Sequence, residues 1–351
     1  MALFCGFMSL PTPIQDLAGR ALRNLRLSVT DRCNLRCHYC MPEHDYTWLP
    51  RQDRLSLEEL TAITKALVPM GVRQVRLTGG EPLLRRGLDQ LIAQLRAIPE
   101  MEDVALTTNG VLLVEQAEIL KAAGLQRLTV SLDTLKAQRF EDSTRQDFLP
   151  RVLAGLMAAS RNGFQPIKLN TVLLRGSNDD ELESLLAFAL ESGFELRFIE
   201  YMDVGGAQNW RQDLVVSRDE ILARVRKHFG EPEPVATPDY VPARRWQLPQ
   251  GGTFGIVAST TAPFCGTCNR ARITADGRFF TCLYGTEGMD LRNLVRQEGG
   301  ARNVVQAIEG RWRDRNDRGA EERLGQDDRG AFQGVEDLKK NPHWEMHTKG
   351  G

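Results

Sequence analysis

The sequence predicts an α/β fold in which a parallel sheet either curls into a partial barrel or lies open as a doubly wound sheet. Two observations lead to this expectation. Short β-rich runs alternate with amphipathic helical patterns from residue 25 to residue 199, and a glycine follows four of the five helical patterns, as expected of C-terminal caps. Six βα units in a row favour parallel strands joined by right-handed crossovers.

Each element is expected where its own periodicity is clearest. The strands cover residues 25–29, 74–77, 104–107, 128–131, 167–173 and 195–199. The helices cover residues 56–70, 88–97, 114–123, 150–159 and 180–191. Ser56 and Glu59 have the spacing of a capping box at the start of the first helix. The expected capping glycines are Gly71, Gly124, Gly163 and Gly193.

The pattern changes after residue 205. A helix is expected over residues 217–227, a proline-rich connection over 231–242 and a strand over 253–258. Asp276 and Gly277 predict the turn of a hairpin between residues 271–274 and 278–282. Residues 311–328 are rich in charge and predict a solvated helix or loop. We therefore predict an N-terminal extension (1–21), a partial barrel (22–204) and a C-terminal region (205–351).

The composition excludes several classes of protein. The chain has 351 residues, of which 42% are hydrophobic, enough for a large core, so global disorder is excluded. Its 45 basic and 46 acidic residues give a net charge of -1, which argues against nucleic acid or an anionic membrane as a partner. No run approaches the roughly 18 apolar residues of a membrane span, and residues 1–10 lack the basic start of a signal peptide.

Six of the seven cysteines form two trios, and Cys5 stands alone as an incidental thiol. This distribution disfavours disulfides and indicates metal binding in a reducing, cytoplasmic compartment. Each trio is one thiolate short of the four ligands of a tetrahedral zinc or a fully ligated iron-sulfur cluster, which suggests a centre with one open position. The trios are Cys33, Cys37 and Cys40, spaced C-x3-C-x2-C, and Cys265, Cys268 and Cys282, spaced C-x2-C-x13-C.

Zinc is the alternative metal at both trios. His38 and His44 are the candidates for a fourth ligand at the first trio. A zinc ribbon is the alternative at the second, although no histidine lies between Cys265 and Cys282. Composition and spacing leave these alternatives open.

Polar motifs follow four neighbouring strands of the predicted sheet. The first trio follows strand one, Thr78-Gly-Gly-Glu-Pro82 follows strand two, and residues 107–110 and 131–133 end strands three and four. Because the carboxyl ends of parallel strands share an edge, the active site is expected there. No P-loop occurs, so a nucleotide must be held by separate cations. Arg270 and Arg272 alternate along a strand and form either a phosphate clamp or a solvated β face.

Two motifs of the first half resemble the radical S-adenosylmethionine superfamily. They are C-x3-C-x2-C with Tyr39 before its last cysteine, and Gly79-Gly-Glu-Pro82. The whole chain from about Leu22 is similar to the GTP 3',8-cyclase family, molybdenum cofactor biosynthesis protein A. This second resemblance depends on residues 265–272, the x13 spacing and the terminal Gly350-Gly351.

The resemblance implies two [4Fe-4S] clusters and S-adenosylmethionine as cofactors, with the first trio on the cluster that binds S-adenosylmethionine and the second on an auxiliary cluster. The implied S-adenosylmethionine contacts are Tyr39, Gly80, Ser131 and Met202. The implied GTP contacts are Arg26, Arg76, Thr107, Lys168, Arg270 and Arg272. The implied catalytic residues are Arg270, Arg272, Gly350 and Gly351. Residues 1–17 and the charge-rich stretch are expected to touch no ligand position.

The implied reaction is the first step of molybdenum cofactor biosynthesis, catalysed by a lyase. A 5'-deoxyadenosyl radical takes hydrogen from C3' of GTP, and the resulting C3' radical joins C8 of guanine. One electron and one proton then convert the cyclised radical to 3',8-cyclo-7,8-dihydro-GTP. The implied partners are GTP and a small electron-donor protein of ferredoxin or flavodoxin type, and a homodimer is compatible with the family.

Alternative interpretations remain for the tail and for the whole chain. Gly350-Gly351 is either a frayed end or, as in the family, a tail that reaches the active site. The rival functions are another radical S-adenosylmethionine enzyme, such as a peptide maturase, and a zinc-ribbon module for nucleic acid. Arg270 and Arg272 argue against the first, and the neutral net charge argues against the second.

Overall fold

One continuous sheet of twelve strands forms the framework of the protein in the computed structural model, which describes residues 13–351. The first six strands are β1 (Asn24–Ser28), β2 (Gln74–Thr78), β3 (Asp103–Thr108), β4 (Arg127–Ser131), β5 (Lys168–Leu173) and β6 (Glu195–Glu200). The remaining strands are β7 (Glu233–Val235), β8 (Arg244–Gln247), β9 (Thr253–Val257), β10 (Arg270–Ile273), β11 (Arg278–Phe280) and β12 (Met289–Asp290). The six predicted strands are thus confirmed to within one or two residues.

Eight neighbouring strands are parallel, in the order β10-β1-β2-β3-β4-β5-β6-β9. Side chains from across these strands, from Arg272 and Arg26 at one edge to Arg197 and Val257 at the other, line a single cavity. The sheet must therefore curve around that cavity, as in a barrel. Strands β9 and β10 are not paired with each other, so the barrel stays open. The partial barrel is confirmed, and the flat doubly wound alternative is wrong.

The C-terminal region extends this same sheet at both edges. Strands β9, β8 and β7 continue it beyond β6, while β10, β11 and β12 continue it beyond β1. The side-chain amide of Asn24 donates to Oδ1 of Asn269 at 2.8 Å beside the β1–β10 pair. The predicted hairpin is confirmed as β10–β11, with Gly277 at φ 88° in its turn. The division between residues 204 and 205 stays a prediction, because the sheet is continuous across it.

The helices pack outside the sheet, and most of the core lies between the two layers. They are α1 (Leu57–Leu67), α2 (Leu88–Arg96), α3 (Leu113–Ala122), α4 (Ala137–Thr144), α5 (Leu149–Arg161), α6 (Leu182–Glu191), α7 (Arg218–Phe229), α8 (Leu291–Arg296), α9 (Gly300–Arg313), α10 (Gly319–Leu324), α11 (Val335–Lys340) and α12 (Met346–Lys349). The Ser56–Glu59 capping box is present, and the four predicted capping glycines have positive φ. Helix α4 was not predicted, because only Phe140 and Thr144 of it are buried.

The charge-rich segment that begins in α9 is partly buried, so the prediction of a solvated stretch over residues 311–328 is wrong there. Trp312 is fully buried, and its indole N–H donates to the carbonyl of Arg20 at 3.1 Å. Arg315 is also buried, and its charge is paired there with the buried carboxylate of Asp16 at 3.3 Å. A charged residue with a remote partner cannot be told from a surface charge by local composition.

No helix within residues 13–351 is long and apolar enough to cross a membrane. Cys5 and the predicted absence of a signal peptide fall on residues outside the described range.

Candidate active site

A cavity of about 450 Å³ opens at the carboxyl ends of the parallel strands. Both cysteine trios line it, together with the Gly79–Gly80 turn after β2 and the polar ends of β3 and β4. The predicted convergence of four motifs at one edge is therefore confirmed. The structure also adds the second trio to the same cavity, although β1 and β10 are some 245 residues apart in the chain.

The first trio occupies the loop after β1, and all three thiols are half-buried. The backbone N–H of Leu35 points to Sγ of Cys33 at 3.4 Å, and Nδ2 of Asn109 lies 3.9 Å from the same sulfur. Burial is the main cause that raises the pKa of Cys33 to about 11, and it also raises the pKa values of Cys37 and Cys40. Such thiols ionise when a metal supplies positive charge, which suits ligands of a cluster.

The Gly79–Gly80 turn packs directly on the loop that leads to Cys33. A Cβ on Gly79 would lie 2.2 Å from the carbonyl oxygen of Thr30, and one on Gly80 would lie 2.3 Å from that of Arg32. The N–H of Gly80 donates to the Thr30 carbonyl at 2.9 Å. Glycine is needed at both positions because no side chain fits this backbone contact.

Glu81 of the same motif is fully buried and joins two loops by hydrogen bonds. Its carboxylate accepts hydrogen bonds from the Thr108 hydroxyl at 2.7 Å, the Asn109 N–H at 2.7 Å and the Leu83 N–H at 2.9 Å. Burial outweighs these bonds and raises the pKa of Glu81 to about 7. The side chain fixes the end of β3 against the turn after β2.

The four residues expected to contact S-adenosylmethionine all line the cavity: Tyr39, Gly80, Ser131 and Met202. The Tyr39 hydroxyl donates to Oδ2 of Asp133 at 2.7 Å, and the N–H of Val172 donates to Oδ1 of the same carboxylate at 2.8 Å. Asp133 thus links the cysteine loop to β5. The structure brings these residues together, and their role as S-adenosylmethionine contacts stays a prediction.

A row of cations crosses the floor of the cavity. Arg26 in β1 is in register with Arg272 in β10 and with Arg76 in β2. The Arg76 guanidinium donates to the hydroxyls of Thr107 at 3.0 Å and Thr129 at 3.3 Å. Lys168 in β5 is in register with Thr129 but does not line the cavity. No carboxylate of residues 13–351 forms an ion pair with Arg26, Arg76, Arg272 or Lys168.

The electrostatics of this row favour an anionic ligand. Burial is the largest cause that lowers the pKa of Arg76 and of Arg272 to about 10 and that of Lys168 to about 8, and neighbouring arginines lower them further. Burial and the adjacent arginines also lower the pKa of Arg26. Buried cations that repel one another are stabilised by a multiply charged anion such as a phosphate chain.

The second trio lines the same cavity, and its Cys268 is within reach of Arg270. Both Nε and Nη2 of Arg270 donate to Sγ of Cys268, at 3.3 and 3.2 Å, and its guanidinium lies 4.8 Å from the Phe264 ring centroid. Burial would raise the pKa of the Cys268 thiol, but Arg270 and Arg315 outweigh it and lower that pKa to about 6. Arg270 and Arg272 both line the cavity, so the solvated-face alternative is wrong.

The zinc alternatives find no geometric support. In the described part of the chain, no three His, Cys, Asp or Glu side chains lie close enough to hold a single metal ion. The His38 ring packs against Tyr39, and Nδ1 of His44 lies 3.4 Å from Arg145. A four-iron cubane binds each thiolate at a separate corner, so the cysteines of a cluster need not converge on a single ion.

Three buried charges hold the loop of the second trio, and we call them the Asp16 clamp: Asp16, Arg20 and Arg315. Arg20 donates to Asp16 at 2.6 Å and to the Cys265 carbonyl at 2.9 Å. Arg315 donates to Asp16 at 3.3 Å and to the Cys268 carbonyl at 2.7 Å. The expectation that the charge-rich stretch touches no ligand position is wrong, because Arg315 binds the backbone of Cys268. Of the N-terminal segment, Asp16 contacts the trio only through Arg20 and Arg315.

The C-terminal tail enters the cavity, so the frayed-end alternative is wrong. The Gly350 carbonyl accepts hydrogen bonds from Arg26 at 3.1 Å and from Arg272 at 3.0 Å. The Lys349 ammonium is buried and donates to the carbonyls of Leu283 at 3.0 Å and Gly285 at 2.6 Å. Gly350 has φ 70°, and a Cβ there would lie 2.3 Å from Cγ2 of Thr78. The tail therefore needs glycine for both its conformation and its space.

Sequence reasoning missed two charged residues of the cavity wall, Arg127 and Arg197. Arg197 pairs with Glu195 at 2.9 Å, and Arg127 pairs with Asp103. The available signal was weak: Arg197 stands between apolar Leu196 and Phe198 in a strand covered on both faces.

Two family models together match most of the barrel and the second trio. Residues 27–189 match the model described as Radical SAM superfamily, and residues 194–321 match Molybdenum Cofactor Synthesis C. Among solved structures, Streptococcus suis SuiB bound to precursor peptide SuiA covers 86% of this chain and 69% of its own, with a TM-score of 0.61 and 16% identity. That likeness concerns the fold alone. Fold and site together define a radical S-adenosylmethionine enzyme.

Curated relatives identify the family within this class. GTP 3',8-cyclase 3 of Mycobacterium bovis is 49% identical over 97% of this chain and 91% of its own length. GTP 3',8-cyclase 1 of Mycobacterium tuberculosis is 48% identical over 98% of both chains. The enzyme of Acidothermus cellulolyticus named GTP 3',8-cyclase is 48% identical over 88% of both. The chain belongs to the GTP 3',8-cyclase family.

The cofactors of this family are two [4Fe-4S] clusters and S-adenosylmethionine, and the residues present fit them. Each trio offers three half-buried thiols on one wall of a shared cavity. Each leaves one iron of a four-iron cluster without a cysteine, and a ligand in the cavity can reach that iron.

Proposed function

We propose that this protein converts GTP to 3',8-cyclo-7,8-dihydro-GTP, the first step of molybdenum cofactor biosynthesis. The observation that carries the proposal is the row of unpaired cations between two incomplete cysteine trios in one cavity. A triphosphate neutralises such a row, and the trios on either side suit one cluster for radical generation and one for the guanine.

The first trio and its neighbours hold the radical source in this proposal. Cys33, Cys37 and Cys40 bind one cluster, while Tyr39, Gly80, Ser131 and Met202 hold S-adenosylmethionine in the adjoining part of the cavity. When bound and reduced, this pair of cofactors supplies the 5'-deoxyadenosyl radical that removes hydrogen from C3' of the ribose. Asp133 orients Tyr39 through the 2.7 Å hydrogen bond described above.

The cations orient the substrate. The proposed GTP contacts are Arg26, Arg76, Thr107, Lys168, Arg270 and Arg272. The cations bind the phosphates at the floor of the barrel and so fix the depth of the nucleotide in the cavity. The ribose then lies near the strand ends, with C3' facing the radical source. The enclosing walls exclude water and other hydrogen donors.

The tail and the second trio act on the nucleotide after hydrogen removal. Cys265, Cys268 and Cys282 hold the auxiliary cluster next to the guanine in this proposal. Arg270, Arg272, Gly350 and Gly351 are the proposed catalytic residues, since the Gly350 carbonyl is held by two cavity arginines. They keep C8 of the base within reach of C3' while the new carbon-carbon bond forms.

An external electron is needed to reduce the first cluster, and a small electron-donor protein of ferredoxin or flavodoxin type is the proposed source. A reducing, cytoplasmic compartment belongs to the same proposal, since it keeps six half-buried thiols free for iron. The homodimer remains a prediction from the family resemblance.

Anaerobic reconstitution with iron and sulfide, followed by incubation with GTP, S-adenosylmethionine and dithionite, tests the proposal. We expect 5'-deoxyadenosine and a cyclised nucleotide in equal amounts. Cleavage of S-adenosylmethionine that is indifferent to GTP, with all GTP recovered unchanged, would contradict it and would favour the peptide-maturase alternative.

A further inference from the structure

Five arginines beside the first trio's loop have no acidic partner. They are Arg32, Arg51, Arg54, Arg85 and Arg86, and we call them the arginine face. Many arginines elsewhere in this chain form ion pairs with carboxylates, but none of these five does so with any residue of the described range 13–351. In a protein with a net charge of -1, such a local excess is not a consequence of composition.

The arginine face is assembled from separate segments of the chain. Arg32 directly precedes Cys33, and its carbonyl accepts the N–H of Glu81 at 2.8 Å. The Arg85 guanidinium donates to the Leu55 carbonyl at 2.7 Å, which joins the residues after the Gly-Gly turn to the segment that carries Arg54. Arg86 follows Arg85 in the chain and is exposed. The five charges are therefore carried by segments that meet at the start of the cysteine loop.

The charges lie close enough to repel one another. Burial first, and then Arg54 and Arg51, lower the pKa of Arg85. The nearby acids compensate only in part: Glu58 faces Arg85, and Asp31, which faces Arg54, is buried and accepts the Leu49 N–H at 2.6 Å. Repulsion of this kind is relieved when an acidic surface covers the cluster.

We propose that the arginine face docks a small acidic protein that delivers single low-potential electrons to the first cluster. The inference rests on the proposed function, which requires an external electron at that cluster. One electron leaves the reduced carrier, which is oxidised, and enters the cluster, which is reduced. Leu84, 41% exposed among these arginines, supplies an apolar contact inside a charged rim, as docking surfaces commonly have.

The position of the face suits this role better than the mouth of the cavity does. Arg32 is bonded directly to a cluster ligand, so a carrier on the arginine face approaches the cluster through the protein wall. The cavity itself stays free for GTP and S-adenosylmethionine, and the carrier need not enter it. Electrostatic attraction of this kind raises the association rate and weakens with ionic strength.

The test compares two double charge reversals in the reconstituted holoenzyme. Arg51→Glu/Arg86→Glu changes two exposed members of the arginine face. Lys65→Glu/Arg161→Glu is the matched control, because both residues are exposed, lack ion pairs and lie in the last turns of α1 and α5. Those helix ends are at the opposite end of the barrel from the site. An acidic flavodoxin, reduced before use, is the probe.

Binding and turnover are measured separately. We expect the Arg51→Glu/Arg86→Glu variant to bind the flavodoxin about tenfold more weakly at low salt and to lose flavodoxin-driven turnover to the same extent. Dithionite-driven turnover and iron content should match the parent, and the control variant should resemble the parent throughout. Higher salt should weaken parental binding more than binding by the arginine-face variant.

Equal flavodoxin affinity in the arginine-face variant and the parent would overturn the proposal, as would an equal loss in the control variant. If the parent forms no cyclised nucleotide with dithionite, the proposed function fails instead. The binding titration still decides the docking question in that case.

Discussion

At the scale of single residues, the cavity cations destabilise the empty protein. Burial first, and then Arg127 and Arg197, lower the pKa of Arg76 to about 10, which corresponds to roughly 3 kcal/mol against the charged form. A cation with a lowered pKa in the folded state weakens folding at every pH below about 10, and this cost is lost at higher pH, where the unfolded chain also gives up its proton. At neutral pH the folded protein therefore bears the full free-energy cost of the buried charge, and a bound phosphate offsets that cost.

Replacement of Arg76 by Met should therefore separate stability from binding. We expect Arg76→Met to raise the free energy of unfolding without GTP by about 1 kcal/mol, because loss of the hydrogen bonds to Thr107 and Thr129 cancels part of the gain. The stabilisation that GTP confers should shrink. Thermal unfolding with and without GTP measures both, with Arg161→Met as an exposed control. A less stable variant with an unchanged response to GTP would contradict the assignment.

At the scale of elements, the tail after α12 is held from two sides. The Lys349 ammonium binds the segment after Cys282 and lies 4.9 Å from the Phe280 ring centroid, while the Gly350 carbonyl lies between Arg26 and Arg272. The tail thereby connects the auxiliary trio to the cation row. This arrangement explains why a chain end can be ordered inside a cavity.

Deletion of Gly350 and Gly351 should abolish cyclisation and leave both clusters intact, because it removes the tail without touching a cysteine. Gly350→Ala should act in the same direction, since its Cβ would overlap Thr78. Gly330→Ala is the matched control, as nothing lies within 4 Å of its Cβ. The assay measures cyclised product, iron content and S-adenosylmethionine cleavage. Product formation at the parental rate by the truncated protein would rule out a role for the tail.

The Asp16 clamp is a second contact between elements, and it holds the loop of the second trio. Loss of its carboxylate leaves the buried Arg20 guanidinium without an ion pair, whereas Arg315 keeps its pair with Asp317 at 3.0 Å. Removal of one partner from a buried pair costs about 3–5 kcal/mol in comparable cases. We expect Asp16→Asn to lower the iron content by about one four-iron cluster, as Cys282→Ala should do, and to leave the first cluster's spectrum unchanged.

Asp314→Asn, an exposed neighbour of the clamp without an ion pair, is the control for that experiment. Iron analysis and electron paramagnetic resonance with and without S-adenosylmethionine distinguish the two clusters. Retention of all iron with an unaltered auxiliary signal would show that the clamp does not support the second trio.

At the scale of the whole molecule, local patterns predicted what local forces determine. Four features could be predicted from the sequence because each depends on residues that are near one another in the chain. They are the six βα units, the Ser56 cap, the capping glycines and the β10–β11 hairpin. The pairing of β10 with β1 and of β9 with β6 was not readable. Those contacts join distant segments, and the loop-closure cost that opposes them leaves no local signature.

The residues of the candidate active site also fall into those that local sequence predicts and those that it does not. Spacing alone predicts the two cysteine trios and the Gly79–Gly80 turn. Arg26, Arg76 and Lys168 were predicted only from the family resemblance. A strand arginine that faces a cavity has the same local sequence as one that faces solvent. Arg20 and Arg315 were missed because their partner, Asp16, lies in a segment interpreted as an extension.

Transfer of deuterium shows whether the hydrogen at C3' of GTP passes to the 5'-deoxyadenosyl radical. GTP that carries deuterium at C3' is incubated with the reconstituted protein, S-adenosylmethionine and dithionite, and both products are analysed by mass spectrometry. The account predicts one deuterium in 5'-deoxyadenosine and none at C3' of the cyclised nucleotide. Unlabelled 5'-deoxyadenosine beside a nucleotide that has kept its deuterium would contradict it.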